Sequence, residues 1–146
     1  MKVLLAIVCG IVLSGCCGYA VRTLPQEERG KTVCIVHPPA NQRSSLALEA
    51  GADKSLRDRD IQTRLVSDQA KIDAGDLRLE YWFRKGWLFA PTVSRMKMTI
   101  TDHTGAVVAF SEYRQRGGLF SVIDFWHKWR GIEWHTRRMV DKLLDE

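Results

Sequence analysis

Apolar and polar residues alternate most cleanly between Leu77 and Arg84. Leu77, Leu79, Tyr81 and Phe83 fall on one face, and Arg78, Glu80, Trp82 and Arg84 on the other. A period of two marks a strand with one buried face. Ser94 to Thr101 repeats the pattern, with Met96, Met98 and Ile100 inward and Arg95, Lys97 and Thr99 outward. Gly86 and Pro91 punctuate the intervening stretch, which reads as a loop holding Trp87, Leu88 and Phe89. Asp102-His103-Thr104-Gly105 follows. Aspartate opens a type I turn, and Gly105 suits the left-handed position of a G1 bulge. A loop at 103–105 pairs Asp102 with Ala106. It then sets Ile100 against Val108, Met98 against Phe110 and Met96 against Glu112, in a strand ending near Arg114.

Upstream, Thr32 to His37 is an unbroken β-branched run stopped by Pro38-Pro39, the pattern of a buried central strand. Asn41, Ser44 and Ser45 are plausible N-caps, Ser45 with Glu49 suggesting the start, for a helix running to about Arg57, with Leu46, Ala47 and Ala50 on one face. Gly51 weakens that helix by about 1 kcal/mol relative to alanine. Ile61, Thr63 and Leu65 alternate with polar neighbours, so another strand follows, then a polar loop from Ser67 to Gly75. Leu119 to Trp129 is aromatic-rich, as a short helix or an ordered loop. Ile132, Thr136, Met139, Val140 and Leu143 form the stripe of a final helix over 132–144. Gly18 to Gly30 has no period and reads as a tether. The order predicts an α+β domain of two layers. Its mostly antiparallel sheet has four to five strands, with two helices on one face.

The amino terminus changes the picture. Val3 to Leu13 is apolar apart from Gly10, and Lys2 precedes it. The run suits a signal-peptide core and falls short of the roughly 20 residues that cross a bilayer. Small residues and a cysteine follow. Leu13-Ser14-Gly15-Cys16 resembles the lipobox of bacterial lipoproteins. That resemblance implies cleavage before Cys16 and lipidation of Cys16, with two or three acyl chains. A single chain is marginal, since each buried methylene contributes about 0.8 kcal/mol. Such lipoproteins keep an aspartate after the lipidated cysteine when they stay at the inner membrane. Cys17 stands there instead, which implies outer-membrane sorting and a periplasm-facing domain in a Gram-negative host. The expected organisation is a cleaved signal over 1–15, a lipidated tether over 16–30 and one domain over 31–146. Fully extended, the tether from Gly18 to Gly30 spans at most about 50 Å. In organisation the domain looks like small α+β domains of envelope lipoproteins of Gram-negative bacteria.

Charge adds little: the formal net charge of +5 permits contact with anionic lipid or polysaccharide without demanding it. A secretion signal also removes the chain from nucleic acid. Of four cysteines, Cys9 lies in the signal and Cys16 carries lipid. Cys17 and Cys34 form a possible disulfide in an oxidising compartment. The alternative is that Cys34 is a small buried hydrophobe and Cys17 is free or pairs with another chain. No Cys-x-x-Cys spacing supports a redox or zinc site.

Candidate chemistry is sparse. His127, Glu133 and His135 lack the i, i+4 spacing of a helical metal site, so no metal or cofactor is expected. Ser111 and Ser121 lie outside any Gly-x-Ser-x-Gly elbow. Cys34 lies in an apolar strand that disfavours a thiolate. Asp76 and Glu80 read as solvated strand neighbours. No catalytic residue is assigned. The remaining signal is aromatic. Trp82 shares its strand face with Arg78 and Arg84, and Arg95 and Lys97 belong to the same outer surface. Trp87 and Phe89 extend it, or dip into a membrane interface. An exposed tryptophan among cations is a recognition surface. The expectation is a lipid-anchored, non-catalytic envelope protein that binds a protein partner or assists envelope assembly. Binding an anionic glycan, such as peptidoglycan or lipopolysaccharide, is the alternative. A periplasmic hydrolase is a third reading.

Overall fold

The computed structural model describes residues 18–39, 44–67, 72–88, 90–115 and 131–145. Its strands are β1 (Gly18–Arg22), β2 (Val33–Val36), β3 (Thr63–Val66), β4 (Leu77–Leu88), β5 (Ala90–Thr101) and β6 (Val107–Arg114). Its helices are α1 (Leu46–Arg57) and α2 (Ile132–Leu144). Among the described residues the strands form one six-stranded sheet in the order β1-β6-β5-β4-β2-β3. Leu48, Leu56, Met139 and Leu143 of the helices join Leu79 and Met98 of the sheet in one buried cluster. The class is α+β, with both helices on one face.

The sheet is mixed, and it exceeds the four to five mostly antiparallel strands expected. β2 runs parallel to both β3 and β4, while β4, β5, β6 and β1 pair antiparallel. For β3 the cause is α1, which carries the chain back over the sheet so that β3 starts in the same direction as β2. β2 is then central and flanked by parallel neighbours. All of its residues are buried, as its unbroken apolar run requires.

The extra strand comes from the expected tether. Gly18–Arg22 pairs with β6 from Gly18↔Arg114 to Arg22↔Phe110. The connector that follows is clasped to the end of α2. Leu24 is 1% exposed, and its amide donates to the Leu143 carbonyl at 2.7 Å. The Arg29 guanidinium donates to the Leu144 carbonyl at 2.7 Å and to the Leu24 carbonyl at 3.3 Å. A cation there satisfies a helix-end carbonyl and complements the helix dipole. Residues 18–30 therefore belong to the domain.

Of the candidate caps, Ser45 is the one that caps α1, accepting from the Leu48 amide at 3.2 Å. The buried face is not the expected one. Leu48, Glu49, Ala52, Ser55 and Leu56 face the core, whereas Leu46 is 76% exposed. A Cβ at Gly51 would meet the Thr136 methyl of α2 at 3.4 Å, an ordinary van der Waals contact, so Gly51 lies at the seam between the two helices. In α2 the predicted stripe holds, with Thr136, Met139, Val140 and Leu143 buried.

The turn after β5 forms as read. Gly105 has φ +84°, its amide donates to the Asp102 carbonyl, and the Asp102 amide donates to the Ala106 carbonyl. The strand beyond it differs. Thr101 pairs with Val107, but Ile100 pairs with Ala109, because a bulge absorbs one residue. Every later position changes face. Ala109, Ser111 and Tyr113 point inward, and Phe110 and Glu112 point outward. In the stretch expected as a loop at 86–91 the described residues are strand, since β4 continues to Leu88 and β5 starts at Ala90.

The Cys17–Cys34 bridge does not fit this sheet. Cys34 is a free, buried thiol on β2, and Cys17 lies outside the described residues. Its neighbour Gly18 sits on the edge strand, four strands from β2. At about 4.8 Å per strand that is about 19 Å, beyond the roughly 7 Å that a disulfide allows between Cα atoms.

Candidate functional site

With both helices on one face, the other face of β4, β5 and β6 carries the predicted surface residues in cross-strand rows. Arg84, Arg95 and Arg114 stand side by side, with Gly18 at the edge. The next row is Trp82, Lys97, Glu112 and Ala20. Then come Glu80, Thr99, Phe110 and Arg22. Arg78 follows, between Thr101 on β5 and Cys34 on β2. So Arg78, Trp82, Arg84, Arg95 and Lys97 do converge on one surface. Trp87 stands further along β4, and Phe89 lies outside the described residues.

Trp82 is the centre of this surface and is 39% exposed. The Arg95 guanidinium lies over its ring at 5.2 Å, while Arg95 Nε donates to Glu112 at 2.8 Å. The contact covers one side of the indole with positive charge. Lys97 lies over the Phe110 ring at 5.8 Å. Beside Trp82 a groove of about 420 Å³ opens, lined by Pro38, Pro39, Glu80, Trp82, Lys97 and Thr99. Its origin is topological. β2 stops at Val36 while β4 runs on, and the prolines that end β2 form one wall.

Below the groove lies a buried polar cluster that the sequence reading missed. Glu49, only 6% exposed, accepts from the Tyr81 hydroxyl and pairs with His37 Nδ1 at 2.8 Å. The same hydroxyl accepts from the Ser45 amide at 3.1 Å. Burial, reinforced by the bond to Glu49, raises the Tyr81 pKa well above its ordinary value. The cluster joins β2, β4 and the start of α1, and so fixes the groove's wall.

Cys34 sits on the groove side of β2 within 3.5 Å of both Asp76 and Arg64. Burial pushes its thiol pKa up, and the Arg64 hydrogen bond only opposes this, so the thiolate is disfavoured. Arg64 also binds Asp76 at 2.9 Å, and Glu80 pairs with Arg78 at 3.3 Å. Ser111 is fully buried. His135 is buried against the Tyr113 ring at 4.7 Å, Glu133 is exposed, and His127 and Ser121 lie outside the described residues. Among the described residues, no group of three metal-ligating side chains converges.

Phe110, Glu112 and Arg114 were absent from the sequence-based surface because the bulge reversed their face, and Arg22 because its segment read as a tether. One signal could have exposed the error. The expected register placed Glu112 opposite Met96 in the core, an unpaired carboxylate that would be costly to bury.

No protein-family model matches the chain. No curated protein matches it either. Its fold is similar to that of the PelC dodecamer from Paraburkholderia phytofirmans, with TM-score 0.55 and 16% identity over 88% of this chain and 94% of that one. A leucine-to-methionine variant of the same dodecamer gives TM-score 0.55 and 17% identity over 86% and 94%. At that identity the likeness establishes a shared fold and no more.

Proposed function

We propose that the chain is a lipid-anchored, non-catalytic cell-envelope protein that uses the outer face of its sheet to hold a protein partner or envelope assembly. The carrying observation is Trp82, half-exposed under Arg95 on a face to which neither described helix packs. A rigid aromatic flanked by cations supports recognition of an acidic surface. The lipobox-like Leu13-Ser14-Gly15-Cys16 supports attachment to the outer membrane through Cys16. The test is crosslinking in intact envelopes followed by capture of the native protein. A defined protein adduct is expected for the wild type, with at least a tenfold loss in Trp82→Ala/Lys97→Ala. An adduct profile unaffected by that double variant would overturn the outer face as the contact.

The groove favours a second reading. A tryptophan edge, the Lys97 ammonium and the oxygens of Glu80 and Thr99 suit a sugar ring that bears an acidic group. Sedimentation with purified peptidoglycan or lipopolysaccharide separates the two. Salt-sensitive binding lost in Trp82→Ala selects the glycan, and binding indifferent to that change discards it.

A further inference from the structure

The domain and its anchor are closer than a tether allows. Because Gly18 is already paired in β1, only Cys17 separates the sheet from Cys16. Two residues span about 7 Å at most. An acylated Cys16 would then hold the end of the sheet at Gly18 against the bilayer. That end carries the arginine row. Arg84, Arg95 and Arg114 stand directly opposite one another in the register, with Gly18 closing the row. β4 and β5 run past the row as a hairpin, and no carboxylate occurs between Arg84 and Arg95. The exposed Lys85 adds another cation.

Like charges directly opposed across strands repel. Among the described residues Glu112 is the only carboxylate serving the row, at 2.8 Å from Arg95 Nε and 3.9 Å from Arg114, and Arg84 makes no ion pair. An anionic surface would supply the missing counter-charge, and an acylated Cys16, two residues before Gly18, would bring one to it.

We propose that this end of the sheet is a membrane-docking surface. The Arg84–Arg95–Arg114 row binds the phosphates of anionic phospholipids, and the domain sits upright on the leaflet with its β4–β5 hairpin end in the headgroup layer. The groove beside Trp82 then stands one row above the membrane. This rests on acylation of Cys16.

The test uses the mature acylated protein in vesicles of phosphatidylcholine alone or with 30% phosphatidylglycerol. Intact mass reports the lipid on Cys16, and amide hydrogen exchange reports docking. With phosphatidylglycerol, exchange across 85–93 should slow several-fold while the far turn at 102–106 is unchanged. Each cation at an anionic surface shifts docking by about fivefold. Arg84→Gln/Arg114→Gln should therefore weaken it roughly 30-fold and abolish the protection, as should high salt. Unchanged exchange at 102–106 in the variant shows that it remains folded. An acylated protein whose exchange is the same in both vesicles overturns the docking surface and leaves the anchor standing. A protein without lipid on Cys16 overturns the anchor and the docking with it.

Discussion

Leu24→Ala is expected to cost about 3 kcal/mol of stability, the usual size for a fully buried leucine, and to lower the melting temperature by roughly 10 °C. Leu24 lies in the segment that carries no hydrophobic period and reads as a tether, where the same change would be silent. In the structure its side chain is 1% exposed and its amide holds the end of α2. Truncation loses apolar burial and leaves a cavity between the connector and the helix. Leu46→Ala is the control: Leu46 is 76% exposed, and surface changes stay within about 0.5 kcal/mol. Thermal melting of both variants by circular dichroism decides the matter. Equal melting points would mean that residues 18–30 are not part of the cooperative unit, and the short spacing between anchor and sheet would fail with them.

Leu24 also illustrates what the sequence could convey. Alternation in β4 and β5 put Leu77, Leu79, Tyr81, Phe83, Met96, Met98 and Ile100 on the buried side, and every one is buried. Those strands gain by burying one face, so the pattern is carried by each residue. β1 is different. Its position is set by pairing with β6, and its edge residues are largely exposed, so little alternation remains to be read. The bulge between the Ile100 and Thr101 pairs is similarly invisible. It depends on how two strands twist against each other, and one absorbed residue reverses the face of everything after it. The candidate surface was legible where β4 and β5 supplied it, and its third strand was lost to that one residue. Glu49 was missed for a further reason. A carboxylate in a short helix normally faces water, and only the fold brings Tyr81 and His37 to it.

That buried cluster gives the second large effect. Tyr81→Phe removes one oxygen and leaves the ring in the core, yet it is expected to cost about 2 kcal/mol. The hydroxyl donates to Glu49 and accepts from the Ser45 amide at the start of α1. Without it, the Glu49 carboxylate keeps the His37 contact alone from this pair of donors, and the capping turn loses an acceptor. The pH dependence provides an independent check. The fold raises the Tyr81 pKa, first through burial and then through the bond to Glu49. A raised pKa means that the folded state holds the proton more tightly. Its stabilisation is complete below the unfolded tyrosine value of about 10 and is lost as pH rises past it. Phenylalanine has no proton to lose. The stability gap between wild type and Tyr81→Phe should thus be constant from pH 7 to 9 and narrow above pH 10, as read from urea midpoints. Curves that stay parallel through pH 11 would show that the hydroxyl is not held by Glu49, and that the wall of the groove is fixed by packing alone.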